Sequence, residues 1–246
     1  MSKLLQLLAS NRAKAKATPR NLVVTEGGET TIYLYDAIVS DDITAEWWGG
    51  VSAQTLVPEI RAIKGGTINL RINSPGGDVF AAQAICQAIR DTAATVVAHI
   101  DGYAASAATV VATAADEIRI SEGGMYMVHC GWTFAMGNET EMLATAALLH
   151  KVDASIAGQY ARKTGKSEAD VLAIMQSETW YTAQEAVDAG FVNSISASPK
   201  AKAAWDLSAY ANAPKPQAAQ VDDTATEDHR ARQQQRMSML SRLTIS

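Results

Sequence analysis

Alternation and helical spacing divide most of the chain into short elements. In Thr67-Ile68-Asn69-Leu70-Arg71-Ile72-Asn73 apolar and polar residues alternate, which predicts a strand with Ile68, Leu70 and Ile72 on one face. Thr30-Thr31-Ile32-Tyr33-Leu34-Tyr35, entered from the Gly27-Gly28 turn, is the first strand signal. Between the two, residues 44–63 carry helical spacing with Trp47, Val51, Leu56, Ile60 and Ile63 as core contacts. Pro58 argues against one unbroken helix there, and Ser52 is placed to cap a second part. After Ser74-Pro75-Gly76-Gly77-Asp78 a helix runs to about Arg90, with Val79, Ala82, Cys86 and Ile89 along one side. A strand at 95–100, an alanine-rich helix at 107–115 and strands at 117–120 and 125–129 follow. The longest helical pattern covers 138–163, where Met142, Ala146, Leu149, Val152, Ile156 and Tyr160 form a stripe that ends at Gly165. Ser167-Glu168-Ala169-Asp170 and Thr182-Ala183-Gln184-Glu185 have the spacing of capping boxes and open helices that end near Gln176 and at Gly190. Residues 191–195 are the last strand candidate. Strands alternating with helices imply right-handed crossovers and an α/β fold.

Composition narrows the function classes. The chain has 246 residues, 48% of them hydrophobic, and a net charge of -5, so a general basic footprint for nucleic acid is missing. Residues 1–25 form a basic arm, with Arg12, Lys14, Lys16 and Arg20. Its opening apolar stretch is broken by Gln6 and followed by the positive charges, the reverse of a secretory segment. No run of about 18 apolar residues predicts a membrane span. Cys86 and Cys130 fall inside core elements and read as reduced packing residues of a cytosolic-type compartment. From 198 onward lies a tail; Ala, Pro, Gln, Asp and Thr dominate 209–227, as in a disordered linker. The segment 229–243 carries Arg230, Arg232, Arg236 and Arg242 with Met237, Leu240 and Leu243 at three-residue steps. It reads as a solvated tail, with a capsid- or scaffold-docking helix as the alternative.

Candidate chemistry centres on Ser106, between the 95–100 strand and the 107–115 helix. A serine at a helix start ordinarily caps it, its oxygen accepting a backbone N–H. Ala104, Ala105, Ala107 and Ala108 also leave room for a substrate carbonyl, and a helix start offers N–H groups to an oxyanion. A nucleophile needs a base. His229 lies in the tail, His150 in the long helix, and His99 too close along the strand to fold back. His129 ends the 125–129 strand, and its neighbour Cys130 points to the opposite face, which weakens a Cys–His pair. The Gly76-Gly77 pair frees backbone for close approach by a ligand, or is a tight turn; it is not the G-x-G-x-x-G of a dinucleotide site. Neither a metal-ligand spacing nor a P-loop is found, so no cofactor is expected and ATP-driven unfolding would come from another protein.

Ser74-Pro75-Gly76-Gly77, Ala104-Ala105-Ser106, Met127-Val128-His129 and Glu185-Ala186-Val187-x-x-Gly190-Phe191-Val192 together resemble the Clp protease proteolytic subunit, in order and over roughly residues 30–196. Trp47-Trp48-Gly49, Asn73–Asp78 with Val79-Phe80-Ala81-Ala82, and Gly102-x-Ala104-Ala105-Ser106-Ala107-Ala108 look most like the Clp-related head maturation protease of tailed phages and prophages. The resemblance implies a ClpP/crotonase-like spiral of βαβ units in residues 26–197, with the 138–163 helix as a handle between stacked homo-oligomeric rings. It implies Ser106 as nucleophile, His129 as general base, and the Gly77 and Ala107 N–H groups as the oxyanion hole. The family's third triad member is an aspartate; the matching position here is Glu178, in Ser177-Glu178-Thr179-Trp180-Tyr181-Thr182. Protein substrates, a capsid or scaffold protein among them, a Clp-type ATPase partner and a bacterial or phage-infected host cytoplasm are implied in the same way.

Rival readings remain at this point. Crotonase-type acyl-CoA enzymes share the spiral and paired backbone donors, but give His129 no role. Signal peptide peptidases share similar serine and glycine motifs, yet use a Ser–Lys pair and a membrane context. A general degradative subunit working with an ATPase, and a catalytically silent capsid-assembly module, complete the set.

Overall fold

The computed structural model describes residues 22–196 and Asn212, all within the first of the chain's two compact units, Met1–Ala213. The charges of the basic arm, the 209–227 linker apart from Asn212 and the basic 229–243 segment lie outside the described residues.

In chain order the strands are β1 (Val23–Glu26), β2 (Glu29–Leu34), β3 (Ile38–Val39), β4 (Val51–Ser52), β5 (Thr67–Ser74), β6 (Thr95–Ala105), β7 (Glu117–Ser121), β8 (Met125–Val128), β9 (Thr179–Thr182) and β10 (Ser194–Ser196). The helices are α1 (Asp42–Trp48), α2 (Ala53–Ala62), α3 (Val79–Asp91), α4 (Ala107–Ala112), α5 (Glu139–Thr164), α6 (Glu168–Gln176) and α7 (Ala183–Asp188). The main sheet runs β1-β2-β5-β6-β7-β10, parallel except for the β1–β2 hairpin. A two-stranded ladder, β3–β4, lies apart from it.

The alternation in β5 places Ile68, Leu70 and Ile72 in the core beside Ile32, Leu34, Val96, Ala98, Ile100, Ile118 and Ile120 from neighbouring strands. Helix α3 packs there through Ala81, Ala82, Ile85, Cys86, Ala88 and Ile89, its alanines permitting close approach. On the other face Arg71 holds Asp101 through two hydrogen bonds, Tyr35 donates to the same carboxylate, and His99 pairs with Asn69.

Strand β6 connects fold and site. Over Val97–Ile100 it pairs with β7; further on, Tyr103, Ala104 and Ala105 pair with Met125, Tyr126 and Met127 of β8. Strand β9 adds to β8 in antiparallel register, ending at Val128↔Thr179.

Several expectations change. The sheet begins at Val23, so Val23–Thr25 belongs to β1 rather than to the arm. The 44–63 pattern is two helices: Gly49 and Gly50, both at positive φ, end α1, and Ser52 caps α2 by accepting from the Thr55 N–H. Trp47, expected in the core, is 63% exposed, because α1 is too short to carry the helical spacing onto α2. The strand expected to end at Ile100 continues to Ala105, and the helix after it stops at Ala112. Strand β9 was not anticipated. In α5 only the C-terminal end of the stripe is buried, at Ile156 and Tyr160, whereas Met142 and Ala146 are exposed. That helix has the capping box Asn138–Glu141 at its start and the left-handed Gly165 at its end.

Candidate active site

Strand register brings Ser106 and His129 together and ends one residue short of Glu178. Ala105 pairs with Met127, so Ser106 leaves β6 beside the end of β8, where its N–H donates to the Met127 carbonyl at 3.0 Å. His129 lies two residues beyond Met127 and hence on the same face. The last β8–β9 pair is Val128↔Thr179, so His129 and Glu178 are the next residues along the chain from the two ends of that pair. The turn before β9 is tied to the segment after β8 at one carbonyl, since Met175 accepts the N–H groups of both Cys130 and Glu178.

Ser106 sits at the N-cap position of α4, but its side chain makes no capping bond. Its Oγ lies 2.7 Å from His129 Nε2 instead. The expected cap is therefore replaced, and the backbone explains the change. Ser106 has φ 55° and ψ -127°, outside the extended conformation from which an N-cap oxygen reaches back to the helix. Such a conformation costs a non-glycine residue about 1–3 kcal/mol and persists only where surroundings enforce it. Here they do. All six residues of α4 are buried, and Thr109 donates both its N–H and its hydroxyl to the Ser106 carbonyl. The Thr109 hydroxyl is also bonded to Tyr160 of α5 at 2.6 Å. A sharp strand-to-helix turn that lifts a serine hydroxyl out of the backbone is the geometry nucleophilic serines use.

The glycine pair fits against this turn. A Cβ on Gly76 would lie 2.5 Å from the Ala105 carbonyl oxygen and 2.8 Å from both the Ala107 nitrogen and the Ser106 Cβ. A Cβ on Gly77 would lie 2.1 Å from the Ile38 carbonyl oxygen. Ile38 bridges to Gly77 in parallel, donating to the Gly76 carbonyl and accepting from the Asp78 N–H, each at 2.9 Å. That pattern uses the groups flanking Gly77 and directs the Gly77 N–H itself away from β3. Asp78 then caps α3, accepting from the Ala81 N–H at 2.8 Å. The Gly76 and Ile38 contributions escaped sequence reasoning; a glycine next to a glycine gives no sign of which one wedges against the serine.

Glu178 is half-buried at φ 46°. Its Oε1 accepts the backbone N–H of Asn212 at 2.6 Å, and the Asn212 amide donates to the carbonyl of Ser177 at 3.1 Å. Asn212 was also missed, for it lies in a stretch whose composition reads as linker.

The other candidates separate from this place. His99 lies on the outer face of the sheet, where burial and the nearby Arg71 and Arg119 hold its pKa below the ordinary value. Burial and Asp153 push the Cys130 thiol up to about 11, which disfavours the thiolate a nucleophile needs. The Cys86 thiol, raised by burial to about 12, donates to the Val110 carbonyl inside the core. Both cysteines are free thiols. Among the described residues no helix is long and apolar enough to cross a membrane, and no group of three or more His, Cys, Asp or Glu is placed to hold a metal ion.

Comparison with known proteins gives this geometry a family. The Clp protease family model matches residues 29–199. ATP-dependent Clp protease proteolytic subunits from Streptococcus pneumoniae strains Hungary19A-6 and JJA are each 31% identical to the chain over 134 residues, 53% of this chain and 68% of theirs. Among solved structures, a ClpP1 point mutant from Listeria monocytogenes superposes with a TM-score of 0.57 at 25% identity, over 68% of this chain and 91% of its own. The match spans β2 through β10 and takes in the serine turn, the glycine pair and the β8–β9 junction, so the chain belongs to the Clp protease family of serine-type peptidases.

Proposed function

We propose that Ser106 is the nucleophile, His129 the general base and Glu178 the orienting acid of peptide-bond hydrolysis. The observation that carries this reading is the Ser106 hydroxyl, diverted from its cap position to His129 Nε2 at 2.7 Å, within the reach a general base needs. As Oγ attacks the scissile carbonyl, Nε2 takes its proton and later returns it to the departing amine. The Gly77 and Ala107 N–H groups hold the oxyanion, and water clears the acyl-enzyme. Glu178, next to the last β8–β9 pair, fixes the imidazole and stabilises its charged form, as an aspartate does on a shorter arm.

A serine-directed fluorophosphonate tests the assignment. Wild-type protein is labelled at Ser106 and Ser106→Ala is not, with peptide hydrolysis falling by on the order of 10^6-fold, as for a triad serine elsewhere. Equal labelling of both proteins would remove the assignment.

The substrate is a capsid or scaffold protein of a tailed phage, and the supporting feature is the Trp47-Trp48-Gly49 segment with the Asn73–Ala82 run. The names of the similar Streptococcus pneumoniae proteins favour a second reading, a degradative subunit coupled to an ATPase. Cleavage of co-expressed capsid or scaffold without any ATPase supports the first; turnover of a folded substrate only with a Clp ATPase supports the second. Under either reading the chain works as stacked rings. The exposed first half of α5 supports this, since Leu143 is 63% and Leu148 53% exposed among the described residues. Light scattering at micromolar concentration should give a multiple of the monomer mass, and a monomeric mass would overturn it.

A further inference from the structure

We propose that Asn212 is a positioning residue for Glu178, so that the working site extends beyond the 26–197 domain. The inference rests on the reading of Glu178 as the orienting acid. It starts from three hydrogen bonds that one residue directs at one turn. The Asn212 N–H donates to Glu178 Oε1 at 2.6 Å, while its side-chain amide donates to the carbonyls of Ser177 at 3.1 Å and Glu178 at 3.5 Å. The turn they meet needs outside help. Glu178 is one of only two non-glycine residues with positive φ among those described, and the other is Ser106. The left-handed region carries a steric cost for glutamate, whose long arm is less suited than that of asparagine or aspartate to relieve it by a local bond. Binding the carbonyls on both sides of the Ser177–Glu178 step supplies that stabilisation from elsewhere in the chain.

The bond to Oε1 does something different. A carboxylate on a two-methylene arm has more rotamers to lose than an aspartate. A charge-assisted bond to one oxygen pins the arm and leaves the second oxygen for the imidazole. Where an aspartate would be held by its short arm, this glutamate is held by Asn212.

The test uses the full chain and three variants. Asn212→Pro removes the backbone donor and the amide, Asn212→Ala removes the amide alone, and Glu178→Gln removes the acid. The kcat of Asn212→Pro falls about tenfold, the scale of one lost hydrogen bond to a charged group, and KM is unchanged. Asn212→Ala loses less. A carboxylate beside an imidazole favours its charged form, so a wandering Glu178 moves the acid limb of the kcat/KM profile of Asn212→Pro to lower pH. The double variant Asn212→Pro/Glu178→Gln is no slower than Glu178→Gln, because the one residue acts through the other. A merely structural role would lower Tm and the fraction of sites titrated by fluorophosphonate, without moving the pH limb, and would overturn the proposal. Wild-type or faster turnover by Asn212→Pro, or effects that multiply in the double variant, would overturn it while leaving Glu178 as the acid. Full activity in Glu178→Gln would instead remove the acid assignment and this inference with it.

Discussion

Ser106 and Glu178 both hold positive φ, 55° and 46°, on either side of His129, but what enforces that conformation differs between them. Ser106 is set between a strand and a helix whose residues are buried, with its carbonyl bound by Thr109 and its N–H by Met127. Gly76 backs onto the turn so closely that no side chain fits between. Glu178 is half-buried in a turn before β9, its N–H on Met175 and its carboxylate on an exposed residue 34 positions away. The contrast follows from the chemistry assigned to each. Proton transfer and attack demand hydrogen-bond distances, whereas the pull of a carboxylate on an imidazolium falls off only as the inverse of distance. Both residues are themselves half-buried, but the fold backs the group with the tight tolerance on buried neighbours and holds the tolerant one from an exposed residue.

Outside Ser106 and His129, the largest effects should come from the glycines, since Gly76 wedges against the serine turn and Gly77 against Ile38. Gly77→Ala sets a methyl 2.1 Å from the Ile38 carbonyl oxygen, against backbone that cannot swing aside. Displacing one oxyanion donor costs roughly 10^2–10^3 in kcat, and the fluorophosphonate labelling rate should fall by that much or more. Wild-type labelling of Gly77→Ala would break the picture of a core-built nucleophile. Glu178→Gln comes next and should cost about 10- to 100-fold, less than the roughly 10^4 seen for a buried triad aspartate. A loss as large as that of His129→Ala would erase the contrast between the two ends.

A smaller effect isolates the backbone. Ser106→Gly and Ser106→Ala both lose the hydroxyl and its bond to His129, and both should be inactive. Only glycine accepts φ 55° without a steric penalty, so Ser106→Gly should be the more stable of the two by about 1 kcal/mol in urea unfolding. The reverse order would mean that the turn carries no strain.

How much of this was legible follows the same division. The period-two pattern of β5, the caps at Ser52, Ser167 and Thr182, and the ends of α5 are local, and the sequence displays them directly. The stripe along α5 has the right period, but period does not say whether a partner exists, and Met142 and Ala146 are exposed among the described residues. Trp47 lies outside the core for a related reason: helical spacing does not continue across Gly49-Gly50, where the helix stops. Strand β9 hides in Thr179-Trp180-Tyr181-Thr182, four residues whose last also caps α7. Ser106 was legible as a residue and not as a conformation, because cap and nucleophile differ there by backbone angles that no side-chain pattern encodes. Asn212 illustrates the limit, since a bond spanning 34 residues leaves no trace in local composition.

The smallest predicted effect probes the sheet that carries Ser106. Tyr35 and Arg71 meet at Asp101, on β6 five residues before the nucleophile. Burial, then the hydrogen bond and charge of Asp101, push the Tyr35 hydroxyl up from 10.0 to about 12. The folded state therefore keeps a proton that the unfolded chain gives up near pH 10. By linkage, this contribution to stability is fully present below pH 10 and is lost as pH rises through about 12. Tyr35→Phe removes the titrating group, so its Tm should fall less steeply than the wild-type Tm between pH 10 and 12, while the two share one slope from pH 7 to 9. The serine end should follow the sheet: fluorophosphonate labelling at Ser106, measured after return to pH 8, should survive brief exposure to pH 11 better in Tyr35→Phe than in wild type. Glu178 is not among the groups that shift Tyr35, so the Glu178→Gln background should leave that difference intact. If it vanishes there, the two ends of the site are coupled through the sheet and the division between core and surface control is too sharp.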